Sequence, residues 1–281
     1  MRMVLRDDHD AVVCVIVCCN PDKEQETVDQ VLCWPGGAYP IKLVVYSHPE
    51  ERRPTKLMNM AYAVHCYEPN ADGARRFNYI MFIHSDVEVY TPDWHKHTID
   101  VFQSYVQVGV VGWGGALGIG HPDIYKIPYH ISQLARTSYA SNDKHAQNHG
   151  GLWTWNRGAR EVATLDGFCL AVRCSLFDQV GGFPDALPFH NYDNWLCLRS
   201  HQLGFRVMQV GVNCWHKGGG HSVRGGWDDW ARRKLGKSDE EVHKESHVWL
   251  YEQMRGVLPV RVKENEGNRV QVWDAQKEEW V

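Results

Sequence analysis

The segment His84-Ser85-Asp86-Val87-Glu88 sets an imidazole and two carboxylates at alternate positions, directly after the apolar stretch YIMFI at 79–83. In an extended chain, alternate side chains share a face. Nitrogen and oxygen groups so placed can hold Mg²⁺ or Mn²⁺ against a diphosphate, because the cation neutralises charge on the phosphate oxygens. The same residues would also serve as a polar strand end running into the turn Thr91-Pro92-Asp93. A second group lies at Leu165-Asp166-Gly167-Phe168, where Asp-Gly reads as a turn before a strand, and at Tyr192-Asp193-Asn194-Trp195, where a carboxylate opens a helix. Asp193 there is either a cap and dipole partner or a general base at the mouth of a cleft. The third is Cys214-Trp215-His216-Lys217 followed by three glycines, His221 and Ser222. Glycines beside a histidine allow close backbone approach to a bulky anion, although the spacing is not that of a P-loop.

These residues need elements to carry them. The run AVVCVIVCC at 11–19 is apolar, rich in β-branched residues and bounded by charge and by Asn20-Pro21, as expected of a strand buried on both faces. A helix over 23–32, a strand over 41–46, a helix over 55–67 and the strand at 79–83 follow. A helix over 93–106 and a strand over 108–113 complete an alternation that predicts a mostly parallel sheet covered by helices on both faces. From 114 to about 164 the chain is rich in Gly, His, Asn and aromatics, with a short helix expected over 131–137. Regular pattern returns with a strand at 168–172, a helix at 174–180, the turn Gly181-Gly182-Phe183-Pro184, a helix at 193–203 and a strand at 206–212. A helix over 238–255 and an edge hairpin carrying Val260, Val262, Val270 and Val272 close the sequence. In an open parallel sheet, ligands bind beyond the carboxyl ends of the strands, and Asn20, Ser47 and the 84–88 cluster all sit at such ends.

Composition narrows the classes. The 30 basic and 34 acidic side chains give a net charge of −4, without the basic excess of a protein that lives on nucleic-acid phosphates. The longest apolar run, 11–19, falls far short of the roughly 20 residues of a membrane-spanning helix. Acidic residues close behind Met1 do not fit a signal peptide, and a cytoplasmic chain is expected. The 9 cysteines form no C-x-x-C pair, which favours buried free thiols over a zinc ribbon or a redox motif. The 16 His and 12 Trp stand above ordinary usage.

Taken in order, "HSDVEV" at 84–89, "LDGFCLAVRCSLFDQVGGF" at 165–183, "YDNWLCLRSHQLGFRV" at 192–207 and "HKGGGHS" at 216–222 resemble the family 2 glycosyltransferases. The likeness covers approximately residues 11–222 and implies a GT-A (Rossmann-like) α/β domain over 1–222, with a C-terminal extension over 223–281 packed on or covering the active site. It further implies a metal-dependent inverting transfer of a hexosyl or pentosyl group from a nucleotide-diphosphate sugar, a UDP-sugar first among them, to an acceptor hydroxyl. The metal would be Mn²⁺ or Mg²⁺. The family's D-x-D motif falls on His84-Ser85-Asp86, so Asp86 matches the metal-binding acid, His84 replaces the first acid on the donor side, and Glu88 is a further candidate ligand. The family's Glu-Asp pair falls on Tyr192-Asp193, which makes Asp193 the base. His216 matches a later histidine that contacts metal or phosphate. Asp166 and Gly167 match the donor-sugar pocket, and Asn20, Ser47 and Asn59 are donor-side candidates.

The irregular 114–164 segment would form the acceptor wall, with Trp153 and Trp155 as its aromatic faces. A glycan or small molecule is the favoured acceptor, with modified nucleic acid as a further class. The competing reading is a carbohydrate- or nucleotide-sugar-binding module on the same fold without catalysis, which the replacements at His84 and Tyr192 keep open. A nucleotidyltransferase ranks below both, because Asn20-Pro21-Asp22 supplies no Gly-rich loop.

Overall fold

Alternation along the apolar segments accounts for the central sheet. The computed structural model describes residues 2–37, 39–66, 76–120, 133–137, 158–217, 226–263, 269–274, 277 and 279–280. The first half of the chain runs β1 (Arg2–Asp7), β2 (Val13–Cys18), α1 (Glu24–Leu32), β3 (Lys42–Tyr46), α2 (Pro54–His65), β4 (Tyr79–His84), β5 (Val87–Val89), α3 (Trp94–Ser104), β6 (Val108–Gly112), β7 (Gly115–Ile119) and β8 (Gln133–Thr137). The second half runs β9 (Ala159–Glu161), β10 (Thr164–Leu165), β11 (Cys169–Arg173), α4 (Cys174–Val180), α5 (Tyr192–Gln202), β12 (Arg206–Val210) and β13 (Cys214–His216). It ends with α6 (Trp227–Leu235), α7 (Asp239–Met254), β14 (Val260–Lys263), β15 (Arg269–Asp274) and β16 (Glu279–Trp280).

Eight strands form one sheet in the order β1-β3-β2-β4-β11-β6-β12-β9. Five of them, β2, β3, β4, β6 and β12, point the same way, while β1, β9 and β11 run against them. Side chains of β2 divide by parity: Val13, Val15 and Val17 enter one apolar layer, Cys14 and Ile16 the other. β4 does the same, with Ile80 and Phe82 on one side and Tyr79, Met81 and Ile83 opposite. Helices α2, α4 and α5 cover the first layer through Leu57, Met58, Leu176, Phe177 and Trp195. The other layer is closed by α1 and α3 through Val28, Val31, Ile99 and Phe102. Burial on both faces is what the uninterrupted apolar runs demand.

The chain leaves β2 for β3 on one side and then crosses to β4 on the other, so the strand order reverses at β2. The carboxyl ends of β2, β3 and β4 therefore flank the crevice where this topology places a ligand.

A second sheet has the order β10-β7-β14-β15-β16, with β8 also paired to β7. It corrects the expectation of a helix over 131–137: Gln133–Thr137 is a strand, and antiparallel pairing to β7 satisfies its backbone and overrides local helical preference. The hairpin expected near the C-terminus is present, in register Val260↔Val272 and Val262↔Val270. Its first strand pairs with β7 at Val260↔Ile119, which ties the end of the chain into this sheet. Helix α7 opens with a capping box in which Ser238 and Glu241 satisfy each other's backbone N–H groups. Among the described residues, no helix is long and apolar enough to cross a membrane.

Several histidines are packed as neutral groups. Burial holds His201, bonded to the Ala163 carbonyl, down at about 4. Burial, with His190 and His247 nearby, does the same for His243. Burial also lowers His84, His95 and His190. An unfolded chain takes up these protons as pH falls below the ordinary histidine value of about 6.5, whereas the folded chain resists. The stability they confer is complete above that value and is lost as pH falls toward 4. Asp193 and Glu161, raised in the fold chiefly by burial, work in the opposite sense but are fewer than the five histidines. We predict a Tm at pH 5.0 several degrees below that at pH 7.5; an equal or higher Tm at pH 5.0 would contradict this packing.

Candidate active site

Strand β4 delivers His84 at its carboxyl end, and the backbone N–H of His84 donates to the Phe168 carbonyl of the strand beside it. The next residues turn into β5, which pairs antiparallel with β13 so that His216 lies across from Val87. The Lys217 N–H then donates to the Asp86 carbonyl. This short ribbon brings together side chains separated by more than a hundred positions. Nε2 of His216 is 3.4 Å from Oδ1 of Asp86, and Nδ1 of His84 is 4.0 Å from the same oxygen. One ligand atom from each of the three residues lies within 4.8 Å of those of the other two. Phe168 stacks on the His216 ring at 4.8 Å between centroids and fixes its plane. Burial keeps His84 below the ordinary histidine range, outweighing Asp86 beside it. A neutral imidazole is the form that binds metal. Two imidazoles and one carboxylate suit a divalent cation of the Mn²⁺ type, with coordination positions left open for another ligand.

Glu88 stands apart from this group. Its carboxylate pairs with Lys217 at 2.6 Å and accepts from the Tyr90 hydroxyl at 2.7 Å. Gln30 of α1 donates to the carbonyls of Ser85 and Val87 and accepts from Lys217 at 3.0 Å, so the helix holds the 85–88 segment in place.

Asp193 sits in the first turn of α5, which Asn191 enters with φ of 63°. Its two carboxylate oxygens accept from the backbone N–H groups of Gly167 at 2.9 Å and Asn194 at 2.8 Å. Burial, followed by the nearby Asp166 carboxylate, pushes Asp193 up to about 7, and the two backbone donors counter only part of that rise. A carboxylate poised near neutrality is matched to taking a proton at physiological pH. The loop it grips is itself anchored: Thr164 donates to Asn194 at 2.7 Å, and the Leu165 N–H bonds the Cys197 sulfur at 3.3 Å. Gly167 is required by the same packing, since a Cβ there would come within 2.4 Å of the buried Tyr192 hydroxyl.

The tyrosine links the two halves of the site. Its hydroxyl is 2.7 Å from His84 Nε2 and 3.3 Å from the Gly167 carbonyl. His84, Asp86, Asp166, Gly167, Asp193 and His216 therefore belong to one connected locality. Tyr192 and Phe168 take part in it although the motifs gave them no role. Residue type alone held no signal for Tyr192 beyond its departure from an acid at that position.

The remaining donor-side candidates lie elsewhere on the crevice or are otherwise engaged. Ser47, at the end of β3, is buried and donates to the Glu24 carboxylate. The two residues line a cleft of about 440 Å³ with Met3, Pro21, Gln25 and Pro49. Asn20 follows β2 at its rim, and its backbone carbonyl accepts from the Lys23 N–H. Asn59 is committed in both directions to the backbone of Phe183, donating to its carbonyl at 2.8 Å and accepting from its N–H at 2.9 Å. Its role is to hold the Gly182 turn, where φ is 75° and an added Cβ would meet the Asn59 side chain. Trp153 and Trp155 lie outside the described residues.

The C-terminal helices adjoin the segment that leads into Asp193. Asn191 donates to His247 of α7 at 3.2 Å, and His190 bonds Asp239 at 2.7 Å. Trp227 donates to that same Asp239 oxygen and stacks on Phe189.

No protein-family profile matches the chain, and no curated protein sequence does. Similarity is found among solved structures. A mannosyltransferase, PcManGT, from Pyrobaculum calidifontis in complex with GDP-Man and Mn²⁺ is 15% identical; the overlap covers 89% of this chain and 72% of that one, with a TM-score of 0.43. GalNAc-T7 with UDP, GalNAc and Mn²⁺ is 10% identical over 87% of this chain and 57% of that one, with a TM-score of 0.45. The catalytic domain of Drosophila β1,4-galactosyltransferase 7, in complex with xylobiose, is 11% identical over 95% of this chain and 96% of that one, with a TM-score of 0.42.

Proposed function

We propose that this chain is a metal-dependent, inverting glycosyltransferase of the GT-A type, which moves a hexosyl or pentosyl group from a nucleotide-diphosphate sugar to an acceptor hydroxyl. The observation that carries the reading is the joining of a His84–Asp86–His216 group to a carboxylate raised toward neutrality, Asp193, at the reversal point of an α/β sheet. His84, Asp86 and His216 would hold Mn²⁺ or Mg²⁺, which when bound neutralises charge on the departing diphosphate. Asp193 accepts the proton of the acceptor hydroxyl while that oxygen attacks the anomeric carbon from the face opposite the leaving nucleotide. One displacement inverts the configuration, and no covalent intermediate on the protein is needed. Asp166 sits beside the base on the Gly167 loop, where it can meet hydroxyls of the donor sugar and keeps Asp193 basic through its charge. Ser47 and Glu24 border the cleft that would receive the nucleoside, with a UDP-sugar as the first donor to try. A glycan or small molecule is the proposed acceptor, with Trp153 and Trp155 as candidate contacts.

Thermal shift against a panel of nucleotide sugars, with Mn²⁺ and again with EDTA, tests the donor side. At least one donor is expected to raise Tm in Mn²⁺ and to lose that effect in EDTA. Stabilisation by every donor unchanged in EDTA would contradict the metal site.

A further inference from the structure

We infer that Tyr192 is a positioning residue that fixes the tautomer of His84, leaving the Nδ1 lone pair free to face Asp86 and His216. The inference rests on the metal reading above. Three contacts define it: the Tyr192 hydroxyl is 2.7 Å from His84 Nε2, the same hydroxyl is 3.3 Å from the Gly167 carbonyl, and His84 Nδ1 is the ring nitrogen on the Asp86 side.

The Gly167 carbonyl only accepts and lies in reach of the Tyr192 hydroxyl at 3.3 Å; with the hydroxyl proton on that bond, the His84 contact at 2.7 Å is made by Nε2–H as donor. Neutral imidazole carries one proton, and with it on Nε2, Nδ1 is a lone pair. The opposite tautomer would aim an N–H at the metal position and leave the Gly167 carbonyl without this donor, a cost borne in a buried setting. Tyr192 is 4% exposed, and its ring packs against Phe183 at 5.2 Å, so it cannot swing away to serve another partner.

The bond also closes a circuit. His84 meets the Tyr192 hydroxyl, that hydroxyl meets the Gly167 carbonyl, the Gly167 N–H meets Asp193, and Asp193 is the next residue after Tyr192. A ligand of the metal and the base are thereby held on one rigid frame. Outer bonds of this kind orient a ligating histidine and raise its basicity. His84 and Tyr192, the two positions where the chain departs from the acids of the family pattern, are partners in one bond.

Long-range ¹H–¹⁵N NMR of the imidazoles in the full chain, with His84 identified by its loss in His84→Gln, reads the tautomer directly. The Nε2–H form is expected in the wild type and its dominance is expected to be lost in Tyr192→Phe. Mn²⁺ titration followed by the EPR signal of the free ion should show about 10–100-fold weaker binding in Tyr192→Phe. It should show no further loss when Tyr192→Phe is added to His84→Gln. A wild-type Nδ1–H tautomer, or losses that simply add in the double variant, would overturn the role of Tyr192. The tautomer requires no metal, so it also answers if Tyr192→Phe folds poorly. Wild-type protein with the Nε2–H form that binds no Mn²⁺ would refute the metal reading while upholding the tyrosine bond.

Discussion

Asp193→Asn is expected to lower sugar transfer by about 10²–10⁴-fold, the usual worth of a positioned general base, while donor binding stays nearly intact. Amide and carboxylate have the same shape, and an Asn carbonyl oxygen can still accept from one of the Gly167 and Asn194 N–H groups, while the amide nitrogen replaces the acceptor of the other. What disappears is the group able to take the hydroxyl proton. Because burial and Asp166 raise Asp193 to about 7, the wild-type rate should climb as pH rises through that value and then level, as the base becomes ionised. The amide variant should lack that limb. The sign of the stability effect is independent of catalysis. A carboxyl whose folded pKa exceeds its unfolded one costs the fold stability as pH rises from the ordinary aspartate range through about 7. Asp193→Asn is relieved of that cost at pH 8 and gives up one of the two backbone hydrogen bonds that the carboxylate accepts. A variant that transfers sugar near the wild-type rate would remove Asp193 from the role of base.

Asp86→Ala is the second large effect. Both imidazoles of the site converge on one oxygen of this residue, at 3.4 and 4.0 Å. Taking it away leaves two neutral nitrogens and no charge to offset a dication. Mn²⁺ affinity should fall by more than the roughly 10–100-fold that loss of an outer partner costs, and metal-dependent stabilisation by a donor should vanish with it. EDTA treatment of the wild type should reproduce that loss, and circular dichroism should show both proteins folded. Retention of wild-type Mn²⁺ affinity in Asp86→Ala would place the ion elsewhere.

Much of this architecture is readable because local signals coincide with it. The run at 11–19 and YIMFI at 79–83 are apolar at every position, and both are strands with side chains in both core layers. Gly181 and Gly182, with φ near 77° and 75°, end α4 where the glycine pair marks a turn. The chemistry-bearing residues at 84–86, 166–167, 193 and 216 lie on one connected site because each is placed at a strand end or helix start.

The parts missed depend on partners far along the chain. β1 mixes charge and apolar residues and becomes a strand by pairing with β3, and β8 owes its form to β7. Helix α6 has no element assigned to it from the sequence, yet Trp227 and Trp230 are buried in a small core against Phe189. Among the described residues, much of the tryptophan is packing: Trp94 makes edge contacts with Trp34 and Trp113 at 5.5 and 5.7 Å inside the second layer. Among the described residues, His84 and His216 fall in the candidate metal group, and His190, His243 and His247 form a second set whose successive rings lie 4.4 Å apart. The His84–Tyr192 bond joins positions 108 residues apart, and no spacing rule reaches that far.

Release of nucleoside diphosphate from a panel of nucleotide sugars in Mn²⁺, with water or added sugar acceptors and with wild type and Asp193→Asn run side by side, tests the central claim most directly. The account predicts turnover of at least one donor by the wild type, its loss in EDTA, and its near absence in the variant. No release from any donor in Mn²⁺, or equal release by both proteins, would contradict it.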